Sequence, residues 1–437
     1  MFDKLFGSSK KAVADPGIPF GRYSDNNKSI EKTSRWTDAD NLYKEKKYYQ
    51  SIEAFFDYLR DDAAGNVVLQ GNSNSFNFQI YQGSKIVRGS GDAGHLQAEV
   101  SLAKMPQPSV PVMRRLLDQN FLLYYSRYSL DGERLCMRFD SDIETANPNK
   151  LYYALKELAT KADKQDDQLV QDFSSLQSLD TDHAEEITAA EMETKFAFMQ
   201  KWITETLDYI KTLDADKFSG GISYLLLVLS FRLDYLICPE GSFRTGLEKI
   251  PLLYFVKDEK PATEKNEAMA AGFRNLLAKT KEEFAKNLYR TRSCFAIGVP
   301  QTHKTIAEAI NAANNNMIWY RDNNYNYIGQ QICEYGFSYC QYSYSLPKPL
   351  SELFLVLMRV NYADYFTSLG FTEAYYEADR NKFNDRAITE KISSIVSAWR
   401  KKYPLLDVKM QNLRFDNLLN FNHSFTAEIE HLNFDAK

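Results

Sequence analysis

A chain of 437 residues is longer than one ordinary domain, so two or three cores are expected. Hydrophobic content of 44% and charged content of 25% fit a globular protein, and a net charge of −5 offers no electrostatic footprint for nucleic acid. Five cysteines, odd in number and without C-x-x-C spacing, argue against a disulfide framework and against a zinc site. Met1 to Gly7 carries no apolar stretch of the signal-peptide kind. The apolar run Tyr224 to Leu229 is followed by Arg232 and Asp234, so a buried helix, no membrane span and a cytoplasmic location are expected.

Residues 1–35 are polar and contain Lys10, Lys11, Pro16 and Pro19, which predicts a loosely structured segment over the surface. Thr37 with Asp40 three residues on reads as a helix start, and Tyr48, Ile52, Phe55, Phe56 and Leu59 form one apolar helical face behind it. Lys44, Lys46 and Lys47 read as its solvated side. Three strands follow. Phe76, Phe78 and Ile80 alternate with polar residues, Gly83-Ser84 turns, Lys85 to Arg88 returns, and Leu96, Ala98, Val100 and Leu102 alternate again. Gly89, Gly91 and Gly94 are not a phosphate loop, because no Lys-Ser/Thr follows and the next element is a strand. Ser109 stands before a short helix through Val112, Leu116 and Leu117. Phe121 to Tyr128 then reads as a strand apolar on both faces, with Phe121, Leu123 and Tyr125 on one and Leu122, Tyr124 and Tyr128 on the other. Asp131-Gly132 supplies a tight turn. Leu135, Met137 and Phe139 face the core from the return strand, and after Asn147-Pro148 a helix carries Leu151, Leu155, Leu158, Ala162, Leu169 and Phe173.

This order (helix, three strands, short helix, two strands, long helix) resembles the type III secretion chaperone-like superfamily, including the YbjN family. The segment Leu116-Leu117-Asp118-Gln119-Asn120-Phe121, the turn at Asp131-Gly132 and the helix from Asn149 carry the likeness, over residues 37 to about 175. The resemblance implies a bacterial, antiparallel α+β module with no catalytic residues, and a protein that dimerises or holds extended client segments.

From Thr160 to Lys195 ten acids stand against three lysines, which reads as an exposed helix end running into a solvated linker. Beyond it the period becomes 3.6, in helices through Met192 to Ile210, Gly221 to Ile237, Ala268 to Tyr289, Ile306 to Met317, Leu350 to Phe366 and Ile388 to Trp399. Phe425, Ala427 and Ile429 alternate with polar residues and read as part of a terminal strand pair. The expected organisation is α+β: a loose segment (1–35), a chaperone-like domain (36–178), an acidic linker (179–190) and a mostly helical domain (191–437).

No catalytic, metal or cofactor residues are expected. The histidines His95, His183, His303, His423 and His431 lack metal-binding helical spacing, and no nucleophile motif occurs. Two surfaces are singled out. Leu122, Tyr124 and Tyr128 form a candidate protein-binding face. Trp319, Tyr320, Tyr327, Tyr335 and Tyr339 form either an aromatic groove or a tyrosine-rich helix packed in the core; they lack the basic residues of a nucleic-acid platform. The function expected is non-catalytic protein or peptide binding, with a protein or peptide client or a second copy as partner. The alternative is an enzyme of unknown reaction in the helical domain, with the N-terminal module for docking or regulation.

Overall fold

In the computed structural model, which describes residues 15–24, 28–180 and 183–435, an antiparallel sheet occupies the first half and helices the second. The sheet half begins with α1 (Ile30–Lys44), where the Lys32 amide donates to the Ser29 hydroxyl at 3.2 Å. It turns back into α2 (Tyr48–Leu59), which packs alongside it. The expected start at Thr37 is thereby corrected. Lys46 takes a left-handed φ of 60°, so the lysine-rich stretch is the turn between two helices.

Next come β1 (Val67–Asn72), β2 (Ser75–Gln82), β3 (Lys85–Asp92) and β4 (His95–Lys104). After α3 (Val110–Asn120) follow β5 (Arg127–Asp131), β6 (Arg134–Asp142), α4 (Pro148–Asp172) and the short β7 (Gln177–Ser178). The sheet order is β1-β2-β3-β4-β6-β5, antiparallel throughout, with β7 against the end of β4. Two-residue loops at Gly83-Ser84 and Gly132-Glu133 close two hairpins, and their glycines supply the positive φ (54° and 58°) that such loops demand. The glycines of β3 serve packing instead. Gly89 is in register with Phe78, whose ring would lie 2.0 Å from a Cβ there.

The Asn147 side chain caps α4 by accepting from the Lys150 amide at 2.9 Å. Leu151, Leu155 and Leu158 of α4 and Phe55 and Phe56 of α2 share one core with Phe78, Val100, Leu135, Met137 and Phe139 of the sheet. Each such side chain, once buried, contributes about 1.5–3 kcal/mol.

The helical half opens with β8 (Glu185–Glu186), α5 (Ala189–Lys211) and α6 (Ser219–Arg232). Helix α6 runs on as a π turn over Leu233–Ile237 and stops at Cys238, whose φ is 51°. Together these 19 residues are long and apolar enough to cross a membrane, and 89% of the apolar window is buried inside the protein. Then come α7 (Gly241–Phe255), α8 (Ala262–Leu277), α9 (Lys281–Ala285), β9 (Tyr289–Arg290), β10 (Val299–Pro300), α10 (His303–Asp322) and α11 (Asn326–Ser343). The chain finishes with β11 (Tyr344–Ser345), α12 (Lys348–Asn361), α13 (Ala363–Ser368), β12 (Tyr376–Glu377), β13 (Lys382–Phe383), α14 (Asp385–Trp399) and α15 (Leu418–Glu430). The expected terminal strand pair is thus corrected to a helix. Phe421, Phe425 and Ile429, spaced by four, all lie in the helical core.

Two segments cross between the halves. Residues 16–24, expected to be loose, are docked on the helical half: the Gly21 amide donates to the Tyr235 carbonyl (2.9 Å) and the Ser24 hydroxyl to the Leu346 carbonyl (2.6 Å). Phe20 packs against Phe366 and Phe371. Residues 1–14 and 25–27 of the expected loose segment, and Thr181 and Asp182 of the expected linker, lie outside the described residues. In the opposite direction, Cys294 and Phe295 enter the core of the sheet half. The Gln82 side chain holds them by accepting from both amides (3.1 and 2.9 Å) and donating to the Phe295 carbonyl (3.2 Å).

Candidate functional sites

The stretch Phe121 to Tyr128 is not a two-faced strand. Helix α3 ends at Asn120, the next six residues form turns and bends, and β5 starts only at Arg127. The physical reason lies on α4. The Glu157 carboxylate accepts from the amides of Tyr124, Tyr125 and Ser126 (2.8, 3.0 and 2.9 Å) and from the Ser126 hydroxyl (2.7 Å). Donors that a strand would give to a neighbour are gathered on one anion. Burial works against that charge, but these hydrogen bonds hold the Glu157 carboxyl below its ordinary pKa.

The loop turns Leu123 inward, packed on the sheet core, and buries Ser126 against Glu157. Phe121, Leu122 and Tyr124 are 90%, 67% and 91% exposed. Tyr128, grouped with them by alternation, sits apart on β5, half-buried, with its amide donating to the Asn120 side chain at 2.8 Å. Helix α3 extends the exposed surface. Val112 and Leu116 face inward, while Val110, Arg114, Leu117 and Phe121 fall at helical spacing on the outward side. Tyr153, exposed one turn before Glu157 on α4, adds a further ring.

The aromatic residues of α10 and α11 divide into three clusters. Trp319, half exposed, meets Tyr320 and Tyr325 (5.1 and 6.0 Å between centroids), and Tyr320 lies against Gly221. Tyr327 pairs with Tyr209 (4.8 Å). Tyr335 and Tyr339 stack at 5.8 Å, with Tyr224 and Phe231 around Tyr335. Tyr320, Tyr335 and Tyr339 are partly buried against the helical core.

Sequence reasoning missed a third place, a cavity of about 340 Å³ where the two halves meet. The docked segment 16–24, a strap across the helical half, lines it with Phe20 to Tyr23; Gly83 and Asp163 line it from the sheet half, and α5, the π turn, Glu240, Arg244 and β9 from the helical half. The acids read as a solvated helix end are drawn into this region. Asp163 accepts from the Ser84 amide at 2.7 Å, and Asp166, buried, pairs with the buried Lys85 at 2.9 Å. Gly83 lets the turn come this close, since a Cβ there would stand 1.8 Å from the Asp163 carboxylate.

Across the cavity Arg22 grips Asp234 with two nitrogens (2.9 and 2.6 Å) and reaches Glu248 (2.8 Å). Arg244 pairs with Glu240 (2.9 Å) and with Glu248 (3.2 Å). Glu191 takes Lys195 (3.1 Å) and Arg290 (2.6 Å). Burial, and next the charge of Glu240, push the Asp163 carboxyl up to about 7. Burial also raises Glu240 despite the opposing Arg244. For Arg22, burial disfavours the charge but Asp234 outweighs it and the guanidinium stays ionised.

Among the described residues no group of three or more His, Cys, Asp or Glu side chains is placed to hold a metal ion. Compared with models of known protein families and with curated proteins, the sequence matches none.

Proposed function

We propose that this is a non-catalytic protein-binding protein, which holds an extended, apolar segment of a client protein on the loop after α3 and the outward side of that helix. The observation carrying this reading is the exposure of Phe121, Leu122 and Tyr124 on a loop tied at both ends, where the Leu122 amide donates to the Gln119 carbonyl and the Tyr124, Tyr125 and Ser126 amides donate to Glu157. A backbone ordered before binding loses less entropy on association, and large apolar side chains in the open mark interaction surfaces. The resemblance to the type III secretion chaperone-like group supports a client over a reaction.

The test uses the full chain and reduced, carboxymethylated α-lactalbumin as an unfolded apolar probe, followed by fluorescence anisotropy. The intact protein should bind it, and the double variant Phe121→Ser/Tyr124→Ser should bind at least tenfold more weakly with an unchanged unfolding midpoint. Equal binding by both proteins refutes the assignment. A concentration-dependent dimer in sedimentation, abolished by the same double variant, would reassign the face to a second copy of the chain.

A further inference from the structure

The corner between α7 and α8 presents an apolar surface that the protein itself does not cover. Between Lys249 and Lys257 the sequence runs Ile250-Pro251-Leu252-Leu253-Tyr254-Phe255-Val256. Ile250 and Pro251 are buried and Tyr254 is half-buried. Leu252, Leu253, Phe255 and Val256 are 63%, 40%, 44% and 50% exposed. Exposure continues unbroken through Lys260, so the corner is convex. Large apolar side chains gathered in the open mark a contact surface, but a convex one offers no groove in which an extended segment could lie.

The backbone of the corner is finished in a way that suits an apolar surrounding. A helix end leaves carbonyls without partners inside the helix. Here the Lys265 ammonium donates to the Tyr254 and Val256 carbonyls (3.2 and 2.8 Å), and the Val256 amide donates to the Leu252 carbonyl (3.0 Å). Carbonyls paired in this way lower the cost of bringing the corner against hydrocarbon, where water is missing. Aromatic rings stand beside it. Phe255 meets Tyr339 (6.0 Å between centroids), Tyr339 meets Tyr344 (5.9 Å), and Tyr344 is in register with the exposed Val299. Half-buried tyrosines, apolar in the ring and polar at the tip, suit the headgroup layer of a bilayer.

The charges point the same way. Asp258 and Glu264 are already engaged by Lys265 and Lys260, each at 2.9 Å. Glu259 is exposed, and so are Lys249 and Lys257, which bracket the apolar residues and make no ion pair among the described residues. The corner therefore keeps a small positive excess. We infer that it docks on the surface of an anionic lipid bilayer, with Leu252, Leu253, Phe255 and Val256 entering the headgroup–acyl boundary by about 5–10 Å and Lys249 and Lys257 meeting lipid phosphates. The net charge of −5 over the whole chain does not prevent this, because charges more than about 10 Å away are largely screened at 0.1 M salt. This inference stands apart from the docking of a client on α3.

The full-length protein is mixed with vesicles of phosphatidylcholine alone, or of phosphatidylcholine with an equal part of phosphatidylglycerol, and bound protein is separated by flotation. It should float with the anionic vesicles at least fivefold more than with the neutral ones. Leu252→Ser/Val256→Ser alters only exposed side chains, so it should keep the unfolding midpoint and lose at least tenfold in vesicle binding. Lys249→Gln/Lys257→Gln should remove the preference for phosphatidylglycerol. Leu253→Trp reads depth: brominated acyl chains should quench its added fluorescence, which adsorption by charge alone would not allow. Phe121→Ser/Tyr124→Ser should bind vesicles like the wild type. No flotation with anionic vesicles, undiminished flotation of Leu252→Ser/Val256→Ser, or an unquenched Leu253→Trp would overturn the inference. So would a concentration-dependent dimer, abolished by Leu252→Ser/Val256→Ser and formed without vesicle binding, which would assign the corner to a second copy of the chain.

Discussion

Replacing Gln82 by Ala tests how tightly the two halves are locked. The side chain mimics a strand. It accepts from the Cys294 and Phe295 amides at 3.1 and 2.9 Å and donates to the Phe295 carbonyl at 3.2 Å, all in buried surroundings. Truncation leaves two buried donors and one buried acceptor unpaired. At about 1–3 kcal/mol for each orphaned group, and with some relaxation, the loss is on the order of 3–5 kcal/mol. That is a large part of the roughly 5–15 kcal/mol by which a folded domain is stable. Urea unfolding of the full chain measures it. Hydrogen exchange locates it, since the amides of residues 293–296 and of the adjoining β2–β3 hairpin should exchange faster while α10 and α11 keep their protection. Gln97→Ala, on the exposed face of β4, is the control and should stay within about 0.5 kcal/mol. A Gln82→Ala loss below about 1 kcal/mol, with exchange at 293–296 unchanged, would show that the crossing segment is held by something else.

Phe139→Ala removes a ring buried between the sheet and α4 and should cost about 3–5 kcal/mol by chemical denaturation; an unchanged midpoint would contradict its place in the core. Asp163 has a folded pKa raised from 3.8 to about 7, so the folded state binds an extra proton between those values. Its contribution is full below pH 4 and is lost as pH rises through 7. Relative to Asp163→Asn, wild-type stability should therefore fall across that window by up to about 1.4 kcal/mol per pH unit, measured as urea midpoints from pH 4 to 8. Glu157→Ala should leave the fold intact but free the loop, seen as faster exchange of the Tyr124, Tyr125 and Ser126 amides and weaker client binding. Since hydrogen bonds hold the Glu157 carboxyl below its usual pKa, the wild-type loop should loosen only as pH falls through that lowered value.

Where pattern and structure agree, the signal was local. Phe76, Phe78 and Ile80, then Leu135, Met137 and Phe139, alternate because one face of each strand meets the core, and the stripe from Leu151 to Leu169 on α4 meets it from the other side. Phe121 to Tyr125 misled because its β-forming residues imitate a strand, while the carboxylate that bends the backbone stands 31–33 residues downstream. The tail misled because Phe425, Ala427 and Ile429 fit period two as well as the helical step from Phe421 to Phe425 to Ile429. The cavity was illegible for a stronger reason. Asp163 and Asp166 look like a solvated run until Ser84, Lys85, Glu240 and Arg244 surround them, and no window along the chain contains both sides. Gln82 and Phe295, 213 residues apart, carry no mark of their pairing.

The crossed segments also set an order of events on the ribosome. The sheet core lacks Cys294 and Phe295 until those residues emerge, roughly 120 residues after Leu176, the last core residue from the sheet half itself. At about 5–20 residues per second, that is a wait of about 6–24 seconds during translation. The strap is in the opposite position, because residues 16–24 are made first and their docking partners Tyr235 and Leu346 arrive far later. For most of its synthesis, then, the nascent chain exposes an incomplete sheet core and, just before it in sequence, an undocked arm. A pause or truncation before residue 295 should leave it at its most vulnerable to proteases and to aggregation.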